Sequence, residues 1–195
     1  SIQETAKFIL HYARALSQSP DGFVFEIHPV SGMILDHAVT ELFEKNSQGT
    51  FERIKFALSS GFDETWFGEQ PPAPSLHSGF FKNDLSALAD ALGAPPLQPP
   101  LQRLLIVPIV LEGKHAGTIT LVNKDGDYTG ADLHAVQRLA QFFALTIQRK
   151  RIETDLRRLA AAIEQASEIV VVAGVQGEVQ YVNPAFEHAT GQARD

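Results

Sequence analysis

A helical period that does not stop constrains this chain more than any other feature. Apolar Leu133, Val136, Ala140, Phe143 and Ile147 follow the helical repeat, and Ile152, Leu156, Leu159, Ile163 and Ala166 continue it at spacings of four, three, four and three. The second half is a narrow heptad seam surrounded by charge, with Arg149 four before Glu153 and Arg151 four before Asp155. Such a helix is expected to meet a partner helix. Its start is marked by Thr129 and Asp132, an oxygen acceptor followed three residues later by a carboxylate that reaches back to the cap amide.

Ahead of this helix the periods switch. Ile2, Ala6, Ile9, Ala13 and Leu16 predict an opening helix over residues 1–17, closed by Ser19-Pro20-Asp21-Gly22. "GFVFEIH" and "GMILDHA" around "PVSG" predict a hairpin, and Thr50 is placed to cap a helix that turns Phe51, Ile54 and Leu58 to one face. Residues 61–100 are loop-rich, with a short apolar piece at Phe80-Phe81 and an expected helix from Asp84 to Leu92. "RLLIVPIVLEGKHAGTITLVN" predicts the strongest hairpin, turning at Gly113, with Pro108 at an edge or bulge because it lacks a ladder donor.

With 195 residues, 44% of them hydrophobic, the chain has room for one ordinary domain and a remainder. No apolar run is long enough to span a membrane, and Ser1 to Lys7 lack the basic start and apolar stretch of a signal peptide, so the segment is expected to be soluble and cytoplasmic, without membrane contact. The absence of Cys excludes disulfides, thiolate nucleophiles and thioether-linked pigments. A net charge of −7 is the wrong sign for neutralising phosphates, which argues against nucleic acid as a partner.

The stretch from Arg103 to Gln148 resembles the GAF domain family: a Val-Pro in a strand, a Gly-bearing turn, a second strand ending in Asn123-Lys124, then Tyr128-Thr129 and Asp132 opening the last helix. The likeness extends back to about Phe23, and "SGFFKNDLSA" is similar to the family's central strand. It implies an α+β fold in which a central antiparallel sheet carries helices on its faces and ends in a long C-terminal helix. The tail "AAIEQASEIVVVAGVQGEVQYVNPAFEHATG" resembles the start of a PAS domain. The expected division is a GAF sensor domain over 1–148, a signalling-helix linker over 149–166 and the truncated start of a PAS domain over 167–195.

In family members that bind cyclic nucleotides, Asn-Lys is followed by Phe and then Asp-Glu. Here Tyr128 replaces the Phe and Leu133 stands in place of the Glu. The resemblance therefore implies a structural signature (Asn123, Lys124, Tyr128, Thr129, Asp132), with Lys124 held to Asp132, and argues against a cyclic nucleotide. Asp125, Asp127, Thr129 and Gly130 imitate half a calcium loop, but its twelfth position is Val136. The seven His residues are scattered, which argues against haem and metal. A covalent bilin needs Cys; the cofactor, if any, is left unknown.

Aromatic Phe62, Trp66, Phe80 and Phe81 gather around the loop-rich middle, where they form either a satellite core or the wall of a ligand pocket. His77, Asn83, Asp84 and Arg103 are the polar groups placed to orient a small molecule there. No catalytic motif is found, so the chain is expected to be a non-catalytic sensor module of a bacterial signalling protein, without deciding the activity of a full-length protein. The family resemblance implies relay through a parallel homodimer that uses Ile2, Ile9 and Leu16 with Ile152, Leu156, Leu159 and Ile163. Downstream it implies PAS and output domains, a histidine kinase ahead of a cyclic-di-GMP enzyme. The rival expectation is a ligand-free dimerisation spacer.

Overall fold

The computed structural model describes residues 1–45, 50–59, 79–85 and 100–192, in two compact units, Ser1–Gln148 and Arg149–Asp195. Most of the helix expected from Asp84 to Leu92 lies outside the described residues, and Asp84 and Leu85 themselves are not helical.

In the first unit, α1 (Ile2–Ser17) starts at a capping box, Ser1 taking the Glu4 amide and Glu4 returning to the Ser1 amine, and stops at left-handed Gln18. β1 (Asp21–Ile27) and β2 (Ile34–Val39) form the first hairpin. Two helices follow, α2 (Glu41–Lys45), in a stretch whose sequence carries no clear period, and α3 (Thr50–Ser59). The three-residue β3 (Phe80–Lys82) precedes the long hairpin of β4 (Leu104–Leu111) and β5 (Lys114–Val122). Among the described residues of this unit, the five strands form one antiparallel sheet in the order β2-β1-β5-β4-β3. Gly117 is required at the β1–β5 crossing, because a Cβ there would lie 2.3 Å from the Phe25 carbonyl oxygen.

Strand alternation divides the core between the two faces of the sheet. One face carries Phe23, Phe25, Leu104, Ile106 and Val122 against Phe43 of α2 and Phe51 and Ile54 of α3. The Phe23, Phe43 and Phe51 rings meet there with centroids 4.9 to 5.0 Å apart. The other face carries Val24, Leu105, Val107, Ile119 and Leu121 against Ala6, Ile9 and Ala13 of α1 and Val136, Ala140, Phe143 and Ile147 of α4 (Gly130–Glu164). Each Val, Leu, Ile or Phe side chain buried in these layers contributes about 1.5–3 kcal/mol. Pro108 lies beyond the three residues of β4 that pair with β3, so its missing N–H costs the sheet little.

The second unit takes the end of α4, then β6 (Val171–Ala173), β7 (Val179–Val182) and α5 (Pro184–Thr190). Its organiser is Asn183. The side chain is fully buried, accepts from the Val170 and Phe186 amides at 2.9 and 3.3 Å, and donates to the Glu168 carbonyl at 2.8 Å. One amide thus holds the ribbon and caps α5, with Pro184 preset at the first helical position. Tyr181 donates to Glu164 at 2.8 Å.

Candidate functional site

The exit of β5 and the start of α4 are tied together by a polar cluster. Asn123 sits left-handed at φ 58°, a conformation its short amide tolerates. Its side chain accepts from Gln102 N at 2.8 Å and donates to the Pro100 carbonyl at 3.2 Å. The next residue, Lys124, places Nζ 2.7 Å from Asp132 Oδ2, with both side chains largely buried. Asp132 also accepts from the Thr129 amide and hydroxyl at 2.8 Å each, while Thr129 Oγ1 takes the Asp132 amide at 3.4 Å. Burial pushes the Asp132 carboxyl up, but hydrogen bonds from Lys124 and Thr129 outweigh it and hold the group below its ordinary range.

Tyr128 lies inside this cluster, 1% exposed. Its hydroxyl is 2.8 Å from Ser19 Oγ, Ser19 is 2.7 Å from Ser17 Oγ, and Ser17 donates to the Ala13 carbonyl at 2.7 Å. The chain of hydroxyls ends on backbone at the last turn of α1. Burial pushes the phenol up to about 12, against a smaller opposing effect of the Ser19 hydrogen bond.

These contacts determine what the predicted pocket residues do. Asn83 faces the Tyr128 backbone, donating to its carbonyl at 3.1 Å and accepting its amide at 2.8 Å. Arg103 reaches Asp127 Oδ1 at 3.2 Å and the Lys124 carbonyl at 3.3 Å. Asp84 is exposed. Phe80 and Phe81 do not share a wall: Phe80 packs with the phenylalanine face and Phe81 with the helix face. Phe62, Trp66 and His77 lie outside the described residues.

The helix residues separate as well. Ile9 is 1% exposed and belongs to the core, so it does not lie on an outward seam; Ile2 is half-buried against the same core, and only Leu16 stands out. The outward apolar row of α1 is Phe8, Tyr12 and Leu16, four apart, and Phe142 and Leu145 of α4 are exposed as well. That four-residue spacing was visible in the sequence, but the inward row masked it. Ile152, Leu156, Leu159 and Ile163 are all exposed, whereas Ala166 lies past the end of α4. Glu153 takes Lys150 at 3.1 Å and Arg157 four residues on.

Sequence reasoning also passed over Glu26 and His37. They are buried in adjacent strands, with His37 Nε2 3.0 Å from Glu26 Oε2. Among the described residues no three His, Asp or Glu side chains gather as metal ligands, and no helix is long and apolar enough to cross a membrane. Nothing in the polar cluster positions a nucleophile beside a base; its groups are used to hold backbone.

The family model described as "GAF domain" matches residues 1–148, and that described as "PAS domain" matches residues 157–195. No curated protein matches the sequence. Among solved structures, a domain assigned to a two-component sensor histidine kinase protein of Sinorhizobium meliloti 1021 is similar at 15% identity and TM-score 0.55, over 80% of this chain and 97% of that one. The GAF3 domain of Slr1393 from Synechocystis sp. PCC6803, in its photoproduct state, gives 15% and 0.54 over 80% and 99%. A GAF domain/HD domain protein from Geobacter sulfurreducens gives 16% and 0.52 over 78% and 95%.

Proposed function

The chain belongs to the GAF domain family, followed by a PAS-like segment, and on that premise we propose that it is a regulatory, non-catalytic sensor module of a signal-transduction protein. It works as a parallel homodimer whose paired α4 helices carry the effect of small-molecule or partner binding to PAS and output domains. The likeness to a sensor histidine kinase domain supports a histidine kinase output ahead of a cyclic-di-GMP enzyme. In this reading residues 1–148 sense, 149–166 transmit and 167–195 begin the next module, in the cytoplasm.

The observation that carries this reading is the row of Ile152, Leu156, Leu159 and Ile163, which are 54%, 61%, 62% and 36% exposed at four-three-four spacing. An exposed heptad seam is what a partner helix covers. Light scattering coupled to size exclusion tests it: the chain runs as a dimer, and Leu156→Glu with Leu159→Glu converts it to a folded monomer. A wild-type monomer would remove the relay mechanism.

A ligand-free dimerisation spacer is favoured by one observation, that Asn83 and Arg103 are already engaged by their own chain. Native mass spectrometry separates the two readings. A dimer that carries an extra small-molecule mass supports the sensor, and a bare dimer supports the spacer.

A further inference from the structure

Away from the polar cluster, α1 and the outer strand β2 leave a groove of about 760 Å³, a volume typical of small-molecule sites. α1 lines one wall with Lys7, His11 and Arg14, at positions i, i+4 and i+7 of the helix. The lining on the strand side and α2 carries Asp21, Asp36, Glu41 and Glu44. Two of these acids are matched: Asp36 holds Lys55 Nζ at 2.6 Å, and Glu41 pairs with Lys45. Asp21 and Glu44 have no ion-pair partner among the described residues.

Arg14 is the unusual member. Its Nε is buried and makes no hydrogen bond, and the guanidinium has no carboxylate partner among the described residues. A long cationic side chain normally keeps its head in water or finds an acceptor, because a buried N–H without one retains its desolvation penalty. The groove beside it therefore presents an unmatched guanidinium on one wall and unmatched carboxylates on the other. An anion seated at Arg14 would share the groove with Asp21 and Glu44, and a cation seated at those acids would share it with Arg14 and Lys7. A molecule carrying both charges, separated, satisfies both walls.

We propose that the groove between α1 and β2 binds a zwitterionic small molecule of the free amino-acid class, its carboxylate on the Arg14 guanidinium and its ammonium toward Asp21 and Glu44. The guanidinium fork suits a carboxylate bidentately, which an ammonium donor would not reproduce. The site is separate from the Phe80 region, and its occupation requires no dimer.

The test is calorimetric titration of the whole chain with the common L-α-amino acids, with acetate and methylammonium as single-charge probes. At least one amino acid binds saturably at one per chain, and neither single-charge probe does. Arg14→Gln weakens that binding roughly 10–100-fold, and Arg14→Lys retains part of it. Asp21→Asn, on the opposite wall, weakens it about tenfold and keeps the test decisive should Arg14→Gln fail to fold. The proposal is overturned if no amino acid binds, if acetate binds as well as the amino acid, or if the folded variants bind with wild-type affinity.

Discussion

Asn83 and Tyr128, 45 residues apart, are joined as a backbone pair would be: the Asn83 side-chain amide donates to the Tyr128 carbonyl at 3.1 Å and accepts the Tyr128 amide at 2.8 Å. The side chain thus supplies both bonds that a neighbouring strand would give the turn before α4. Asn83→Ala should destabilise the fold by about 2–3 kcal/mol, since both backbone groups lose their partner. Asn83→Asp should cost at least as much at neutral pH, because one carboxylate oxygen then faces the Tyr128 carbonyl. Urea denaturation measures both; an Asn83→Ala midpoint equal to wild type would show that the pairing is incidental.

Tyr128 predicts a loss of stability in base. Its phenol is raised to about 12 in the fold, above the ordinary value of 10.0, so the folded chain holds a proton that the unfolded chain has released. Stability from this group is whole below the ordinary value and falls as pH rises toward the folded one, by about 3 kcal/mol in all. Tyr128→Phe should remove that decline while costing about 1 kcal/mol at neutral pH, because Ser19 keeps Ser17 as a partner. Unfolding followed by circular dichroism across the basic range gives both numbers.

Asp132 predicts the opposite limb. Its carboxyl is depressed in the fold, so its contribution is complete above the ordinary value of 3.8 and is lost as pH falls through the folded one. Asp132→Asn leaves Lys124 largely buried beside an uncharged partner and should cost about 3 kcal/mol at neutral pH. The variant should also show a shallower acid limb in the same unfolding assay. An acid limb as steep as wild type would place the titrating group elsewhere.

Asn183 should govern the second unit alone. Asn183→Ala withdraws the acceptor of the Val170 and Phe186 amides and the donor to Glu168 from a fully buried site, at a cost of about 3 kcal/mol or more. Amide hydrogen exchange should then accelerate through β6, β7 and α5 while the β1–β5 ladder of the first unit keeps its protection. Loss of protection in both units would refute this local role.

Periodicity made most of the fold legible. The hairpins, the opening helix and α4 follow from apolar spacing and from turn residues such as Gly113, because burial of one face dictates both. α2 was not legible, since five residues are too few to show a period. The candidate site was legible at Lys124, Thr129 and Asp132, where chemistry is local to one turn. Asn83 was visible as a polar residue but not as a clamp, and Ser19 only as part of the turn that closes α1, because the partner of both, Tyr128, is brought near only by the fold. For Ile9 the period was right and the side was not: spacing identifies a row of side chains, and only packing says whether the row faces a core or a second molecule.

β3 is three residues long, yet it sets Phe80 into one layer and Phe81 into the other. A slip of one residue along β4 would exchange the two rings between layers, since strand side chains alternate with a period of two. Phe80 in the phenylalanine layer and Phe81 in the layer of α1 and α4 are therefore separated by a single peptide unit, so the register of three residues assigns a ring to each side of the sheet.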